Sequence, residues 1–226
     1  VMNYNPAGLA TLKNRQTSFS YHQGIAEDTG MSLLYGQATG IGYIGATFLY
    51  YTAGKMDLID SDGFQERVNA EQDYVGMVGY ATDILPSMPM GVNIKGLSST
   101  LAEQETARAI AVDAGILLHT PLKGLTGGAA VRNLGTKITF IDDGDHLPAT
   151  ASCGVAYTLP IAQNNLLVAG DFAYRVYDRI SVPSAGIEFD MRDFMQIRAG
   201  YTFSSDSDLG LTMGAGFAVS RYRIDY

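Results

Sequence analysis

Strict two-residue alternation of side-chain character is the feature that most constrains this chain. Along residues 209–220, every second residue is apolar and, apart from Ala215, larger than alanine, and the residues between them are small. The same alternation runs through 109–119 and 196–203. Successive side chains of a β-strand point to opposite faces. Each segment is therefore predicted to be a strand with one large apolar face and one face of small or polar residues.

Alternating segments continue along almost the whole chain and predict an all-β fold. Their spacing leaves no room for crossover helices, so consecutive strands are expected to pair antiparallel, up and down. The only helix-like stretch is 101–108, and a further strand begins around Tyr222. The predicted strands are 17–23, 30–38, 41–52, 73–83, 90–98, 109–119, 125–133, 148–158, 165–175, 182–190, 195–203 and 208–217.

The predicted connections alternate between short and long. The short ones are apolar or contain proline, and they lie at 39–40, 85–89, 120–124 and 159–164. The longer and mostly polar ones are 54–72, 99–108 and 134–145. In an up-and-down sheet every other connection lies at the same end. One end is therefore expected to carry tight turns and the other long polar loops, an asymmetry typical of outer-membrane barrels.

Composition excludes several classes of function. With 15 Lys and Arg against 23 Asp and Glu, the net charge of −8 argues against a nucleic-acid partner. The single cysteine, Cys153, excludes an internal disulfide framework and a cysteine-based zinc cluster. No apolar run reaches the length of a membrane-spanning helix, but a barrel strand needs only about 9–11 residues.

Alternation by itself does not say what the apolar face contacts, because a soluble sandwich alternates too. The opposite face, however, is made of Gly, Ala, Ser and Thr with scattered charges, unlike a solvated surface rich in Lys and Glu. Such small residues suit a narrow interior. Tyr and Phe also cluster near predicted strand ends, as interfacial girdles require. The pattern favours a membrane barrel over a soluble all-β domain, which stays as the alternative.

Six segments, in order, resemble the PorV/PorQ family of outer-membrane proteins, within the FadL-like group of barrels. They are "YNPAGLA" at 4–10, "AVDAGILL" at 111–118, "AVRNLG" at 130–135, "LPATASCGVAY" at 147–157, "SAGIEF…QIRAGYTF" at 184–203 and "LTMGAGF…YRIDY" at 211–226. The resemblance covers essentially the whole chain. It implies a single transmembrane β-barrel domain over 1–226, with about fourteen strands, located in the bacterial outer membrane after removal of a signal peptide.

The resemblance also assigns the N-terminal segment, 1–16, to a hatch inside the barrel. Asn5, Pro6, Ala7 and Gly8 would form its central element. Pro fixes φ, Asn caps its own turn, and small residues fit inside a barrel. A simple turn leading into the first strand is the alternative. Family members carry one more strand after the "IDY" segment, so the last strand is expected to be missing here, and another segment or chain would seal the barrel.

No motif for enzyme chemistry is present, and the chain is expected to be non-enzymatic, without cofactor or metal. Asp57, Asp60 and Asp62 suggest calcium but lack the glutamate that ends an EF-hand loop, so solvated loop charge is favoured over a weak ion site. Asp142, Asp143 and Asp145 are interpreted in the same way. Four strand charges, Asp113, Asp171, Arg132 and Arg198, are expected to line the interior as a structural ion network; ligand contact is the alternative.

Three functions are left open by the sequence. The resemblance implies a barrel that docks or shuttles secreted and surface proteins, as in type IX secretion, with outer-membrane lipid and other envelope proteins as partners. A FadL-like channel for hydrophobic small molecules would instead need a continuous apolar pocket beside the hatch. A structural barrel within a larger envelope assembly is the third hypothesis.

Overall fold

Seventeen strands and one short 3₁₀ helix make up the described part of the chain. The computed structural model describes residues 2–24, 27–59, 63, 65–141, 143–192, 194–203, 210–219 and 222–226. The helix is Pro6–Thr11. The strands are β1 (Gln16–Gln23), β2 (Thr29–Thr39), β3 (Gly42–Thr52), β4 (Lys55–Ile59), β5 (Gln65–Asn69), β6 (Glu71–Leu85), β7 (Met88–Leu101), β8 (Glu105–His119), β9 (Leu125–Gly135), β10 (Lys137–Thr139), β11 (Gly144–His146), β12 (Thr150–Ile161), β13 (Asn164–Arg175), β14 (Ile180–Met191), β15 (Met195–Thr202), β16 (Leu211–Val219) and β17 (Tyr222–Asp225).

Thirteen of these strands form one large antiparallel sheet, which confirms the all-β, up-and-down prediction. Its order is β1-β2-β3-β6-β7-β8-β9-β12-β13-β14-β15-β16-β17, so strands that follow one another in the chain are neighbours, apart from two inserted hairpins. Each predicted strand coincides with one of the thirteen. Positions 208 and 209 of the predicted strand 208–217 lie outside the described residues.

The helix-like stretch 101–108 is not helical, and this prediction is wrong. Strand β7 continues to Leu101 and β8 starts at Glu105, so the connection is a tight turn rather than the long loop expected over 99–108. Ala102 and Glu103 adopt φ of 50° and 58°, and the Gln104 N–H donates to the Leu101 carbonyl at 3.0 Å. Ladder pairing along β7 and β8 outweighs the local helix propensity of these residues.

The other predicted connections are short or long as expected, but with a tight turn between β7 and β8 the strict alternation is broken. Turns at 40–41, 86–87 and 162–163 are tight, whereas β4 and β5 lie between β3 and β6, and β10 and β11 lie between β9 and β12. The two hairpins were not predicted, because the sequence analysis treated 54–72 and 134–145 as loops. Each forms its own two-stranded sheet.

The chain divides into two compact units. Unit 1 comprises 1–116 and 131–149, and unit 2 comprises 117–130 and 150–226. Within the described residues, no helix has the length and apolar character needed to cross a bilayer. In both units we call one side of the sheet the large-apolar face and the other the small-residue face.

In unit 1 the burial of the two faces is the reverse of that in a water-soluble sheet. On β8, Ile110 is 61% exposed and Val112 43%, while Ala111 and Asp113, at the alternate positions, are 1% and 0% exposed. Strand β7 alternates in the same sense along Pro89–Asn93, with buried positions on the small-residue face. The core of unit 1 therefore lies on the small-residue face, where other segments of the chain cover it.

Unit 2 also exposes its large-apolar face. Its register aligns apolar side chains in cross-strand rows, such as Val168 opposite Ile187 and Phe189 opposite Ile197. All four of these side chains are partly or fully exposed. Glycine, serine and scattered charges occupy the alternate positions, as the sequence predicts.

Candidate functional site: the covered small-residue face of unit 1

The N-terminal helix follows from the Asn-Pro step in the sequence. Asn5 is the N-cap, and its side chain accepts a hydrogen bond from the Ala7 N–H at 3.0 Å. Pro6 occupies the first helical turn, where its missing N–H costs nothing and its fixed φ suits the helix. The Thr11 hydroxyl donates to the Gly8 carbonyl at 2.8 Å near the other end. Pro6, Ala7, Gly8 and Leu9 are buried.

Glycines of the sheet make room for this helix. A β-carbon on Gly91 would lie 2.5 Å from the Ala7 nitrogen, and one on Gly45 would lie 2.6 Å from the Leu9 side chain. Gly115 faces Asn5 and Gly79 faces Met2 in the same way. At Gly91 the contact is with backbone, so no larger residue fits there without displacing the N-terminal segment, which we define as residues 2–12. At the other three glycines the nearest atoms belong to side chains.

Hydrogen bonds fix the N-terminal segment to three strands. The Asn5 side chain donates to the Ile116 carbonyl at 2.9 Å, and the Asn93 side chain donates to the Met2 carbonyl at 3.0 Å. Arg132 contacts the segment twice: it donates to the Asn3 carbonyl at 3.4 Å, and its guanidinium lies 5.9 Å from the centre of the Tyr4 ring.

Asp113 is the centre of a buried polar network beneath the N-terminal segment. Its side chain is fully buried and pairs with the Lys95 ammonium at 2.8 Å. It also accepts hydrogen bonds from the Asn133 N–H at 2.8 Å and from the Asn93 side chain at 3.2 Å. Three donors, one of them a cation, compensate the buried carboxylate, as a charge in such an environment requires.

A second segment covers the same face of unit 1. We call it the inner segment; it consists of β10, β11 and residues 147–149. Leu147 packs with Ala109 and Ala111, and Ile138 contacts the same cluster. The Asn133 side chain accepts from Lys95 at 2.5 Å and donates to the Pro148 carbonyl at 3.1 Å. The Asp113 network therefore contacts both covering segments.

Asn133 links these contacts because of its backbone conformation. Its φ is 59°, in the left-handed region that asparagine adopts more readily than most residues. Asn133, Asn93 and Lys95 were not predicted as site residues. The alternating pattern places Asn93, Lys95 and Asp113 on one face, but only the strand register brings them together.

The remaining predicted strand charges lie in unit 2. Arg198 pairs with Glu188 at 2.5 Å, directly opposite on β14, and with Asp225 on β17 at 2.9 Å. A β-carbon on Gly216 of β16 would lie 2.5 Å from a carboxylate oxygen of Asp225, so a glycine is needed beneath this ion pair. Asp171 is exposed and leans over Gly154 on β12.

The first inserted hairpin is tied to the turn between β7 and β8. The Glu103 carboxylate accepts hydrogen bonds from the backbone N–H of Asn69, at 3.0 Å, and from the Asn69 side chain. These bonds stabilise the ionised form and hold the pKa of Glu103 below its ordinary value of 4.5. The Ala102 N–H also donates to the Ala70 carbonyl at 2.9 Å.

Metal-ligating clusters are not found within the described ranges: no three His, Cys, Asp or Glu side chains there could hold an ion. Of the loop carboxylates considered from the sequence, Asp57, Asp143 and Asp145 are exposed. Asp60, Asp62 and Asp142 lie outside the described residues.

Comparison with known proteins adds no assignment. None of the models of known protein families matches the chain, and no curated protein matches it. The function is therefore argued from the arrangement of residues described above.

Proposed function

We propose that the chain is a non-enzymatic β-barrel of the bacterial outer membrane, with its small-residue face turned inward and its N-terminal segment acting as a hatch. By the resemblance to PorV/PorQ, its function would be to dock or shuttle secreted and surface proteins at the end that carries the long connections. The observation that carries the proposal is the exposure of the large-apolar face, illustrated by Ile110 and Val112, opposite a buried small-residue face.

The length of the apolar face fits a bilayer. On β8, exposed apolar side chains run from Ile110 to Leu118. At about 3.4 Å per residue and a strand tilt of about 40°, this stretch would cover about 20 Å of membrane thickness. The apolar band of outer-membrane barrels is about 25 Å tall. Arg108 and His119 flank the stretch in the sequence, where charged and polar groups would reach the interfaces.

Aromatic side chains support the same orientation. Tyr50 and Tyr74 contact each other, with ring centres 5.1 Å apart, and Phe48 lies 6.4 Å from Tyr74. All three lie toward the end of unit 1 that carries the β4–β5 hairpin. Tyr80, on the same face, lies toward the other end, and its hydroxyl donates to the Ile41 carbonyl in the tight turn at 40–41. Aromatic side chains toward both ends of the strands are expected where the strands meet the two membrane interfaces.

A single-tryptophan experiment tests the membrane proposal. The chain has no tryptophan, so Val112→Trp introduces one reporter on the apolar face. Lys137→Trp, in the exposed part of β10, is the matched control. After reconstitution into vesicles with brominated acyl chains, we expect strong quenching at 112 and little at 137. Equal quenching at both positions would contradict a lipid-facing sheet.

Docking is tested by site-specific photo-cross-linking in intact envelopes. A photoreactive residue replaces Arg67 in the β4–β5 hairpin. In the control, the same photoreactive residue replaces Ser87 in the tight turn between β6 and β7. The proposal expects cross-links to a secreted or surface protein at 67 and not at 87. If neither position, or both equally, reacts with such a protein, the docking role is wrong even where the membrane proposal holds.

One observation favours a second candidate, the FadL-like channel. On the small-residue face of unit 2, an open pocket of about 350 Å³ extends over β13 to β16, with Leu167, Ala169 and Thr212 among its lining and the Arg198–Glu188 ion pair at its wall. A β-carbon on Gly186 would have only one backbone oxygen near it, at 3.6 Å. If this pocket binds an apolar ligand, that ligand co-purifies with the protein, and Gly186→Leu removes it. Mass spectrometry of bound lipid distinguishes the two candidates.

A further inference from the structure

Two segments that are far apart in the sequence cover neighbouring parts of one face in unit 1. Along the small-residue face of β8, Ala109 and Ala111 contact the inner segment, and Gly115 faces the N-terminal segment. Asp113 lies between them. On β7 the order is the same, because Leu97 packs with the inner segment and Gly91 lies against the N-terminal segment.

A continuous chain of hydrogen bonds joins the two segments across this boundary. The Met2 carbonyl accepts from Asn93, which also donates to Asp113. Asp113 accepts from the N–H of Asn133, and the Asn133 side chain donates to the Pro148 carbonyl. Each member of the chain holds the next, and Lys95 bonds both Asp113 and Asn133.

We infer that the N-terminal segment and the inner segment form one coupled closure over the small-residue face of unit 1, with Asp113 and Asn133 as the coupling element. Release of either segment removes a hydrogen-bond partner from a network whose central members, Asn93 and Asp113, are buried. The network is then left partly unsatisfied, which weakens its hold on the other segment.

Coupling of this kind is reciprocal. A partner that pulls the inner segment away loosens the N-terminal segment, and displacement of the N-terminal segment loosens the inner segment by the same factor. Displacement of one of these two segments thereby affects the other while the sheet stays in place. The inference stands on the contacts within unit 1 and holds whether or not the apolar face lies in lipid.

The experiment combines one local perturbation with one break in the coupling element. Leu147→Ala removes packing from the inner segment, where Leu147 is 5% exposed. Asn133→Gly tolerates the φ of 59° and keeps the N–H that binds Asp113, but it removes the bonds to Lys95 and Pro148. Hydrogen exchange of residues 2–12 and of β13 is followed by mass spectrometry on the full chain in detergent.

We expect Leu147→Ala alone to accelerate exchange in residues 2–12 by about tenfold or more, within the usual range of coupling between sites. In the Asn133→Gly background, adding Leu147→Ala does not accelerate hydrogen exchange of residues 2–12 any further. Exchange in β13 of unit 2 stays unchanged in all variants, which separates coupling from global unfolding.

Either of two results overturns the inference. One is that Leu147→Ala leaves residues 2–12 unchanged in the parent chain. The other is that it accelerates their exchange equally with and without the Asn133 side chain. Gly91→Ala provides the reverse test, because its β-carbon would displace Ala7 and should accelerate exchange at 143–149.

Discussion

At the residue scale, the small-residue face depends on particular glycines rather than on glycine content. Gly91 and Gly96 lie on the same strand, β7, but on opposite faces. A β-carbon on Gly91 would lie 2.5 Å from the Ala7 nitrogen, whereas one on Gly96 would have no neighbour within 4 Å. Only at Gly91 does another segment of the chain come so close that a glycine is required.

Gly91→Ala is therefore expected to destabilise the protein by about 1–3 kcal/mol through overpacking. Gly96→Ala, the matched control, should have little effect or stabilise slightly, because alanine restricts the unfolded chain. Urea unfolding of both variants in one detergent measures the difference. Similar midpoints for the two variants would show that the N-terminal segment does not press on β7.

Two ion pairs between a basic and an acidic side chain also differ in how much they are expected to stabilise the protein, because one is buried and the other is exposed. Lys95 and Asp113 are 11% and 0% exposed, whereas Arg67 and Glu27 are 60% and 66% exposed. Lys95→Met leaves a buried carboxylate without its cation and is expected to cost about 3–5 kcal/mol. Arg67→Gln is expected to cost about 0–1 kcal/mol. Comparable losses in unfolding free energy would contradict the buried network.

At the element scale, the β4–β5 hairpin is attached to the sheet through a carboxylate. Ionised Glu103 accepts the two bonds from Asn69, and its pKa is lowered, so the contact is intact at neutral pH. A group with a lowered folded pKa stabilises above its unfolded pKa and loses that contribution as the pH falls through its folded pKa. The attachment should therefore weaken only in the acid range below 4.5.

This expectation is checked by titrating the Glu103 carboxyl group with NMR in detergent. Its midpoint should lie below 4.5, its ordinary value, and Asn69→Ala should raise it part of the way toward that value, because the side-chain donor is lost while the backbone N–H remains. Glu105, at the start of β8, serves as the reference carboxyl in the same spectra. A Glu103 midpoint that does not respond to Asn69→Ala would show that the hairpin is held by its backbone bonds alone.

At the scale of the whole molecule, the exposed apolar face decides in which solvent the chain is stable. Every strand of unit 1 from β2 to β8 in the main sheet carries exposed large apolar side chains, among them Leu33, Phe48, Val78, Ile94 and Ile110. Soluble monomers rarely expose contiguous apolar patches above a few hundred Å². Under the membrane proposal, hydrocarbon or detergent would cover a face of this extent.

We therefore expect the purified chain to be monodisperse in detergent micelles and to aggregate when detergent is removed. Size-exclusion chromatography with light scattering measures both states. Val112→Lys, on the apolar face, should lower the yield of folded protein in lipid, with a cost of about 2–4 kcal/mol near the bilayer midplane. A stable monomer in plain buffer would refute the membrane proposal.

Strand positions, pairing direction and the two faces follow from the sequence alone, because a period of two admits only one local geometry. The cap and first turn of the N-terminal helix follow likewise from Asn5 and Pro6. The same local reasoning failed at 101–108, where ladder pairing outweighs helix propensity. It also missed β4–β5 and β10–β11, since short strands in polar loops lack a periodic signal.

Only the tertiary structure decided which residues of a face meet. The alternating pattern places Asn93, Lys95 and Asp113 on one side, but strand register sets their distances, and the path of the chain brings Met2 and Pro148 to either end of the network. The sequence determined which side chains avoid water and which tolerate a close approach, since that depends on each side chain's own chemistry. Which segments cover the small-residue face depends on contacts between residues 15 to 129 positions apart, as in Asn133–Pro148 and Asn3–Arg132, and no local pattern encodes them.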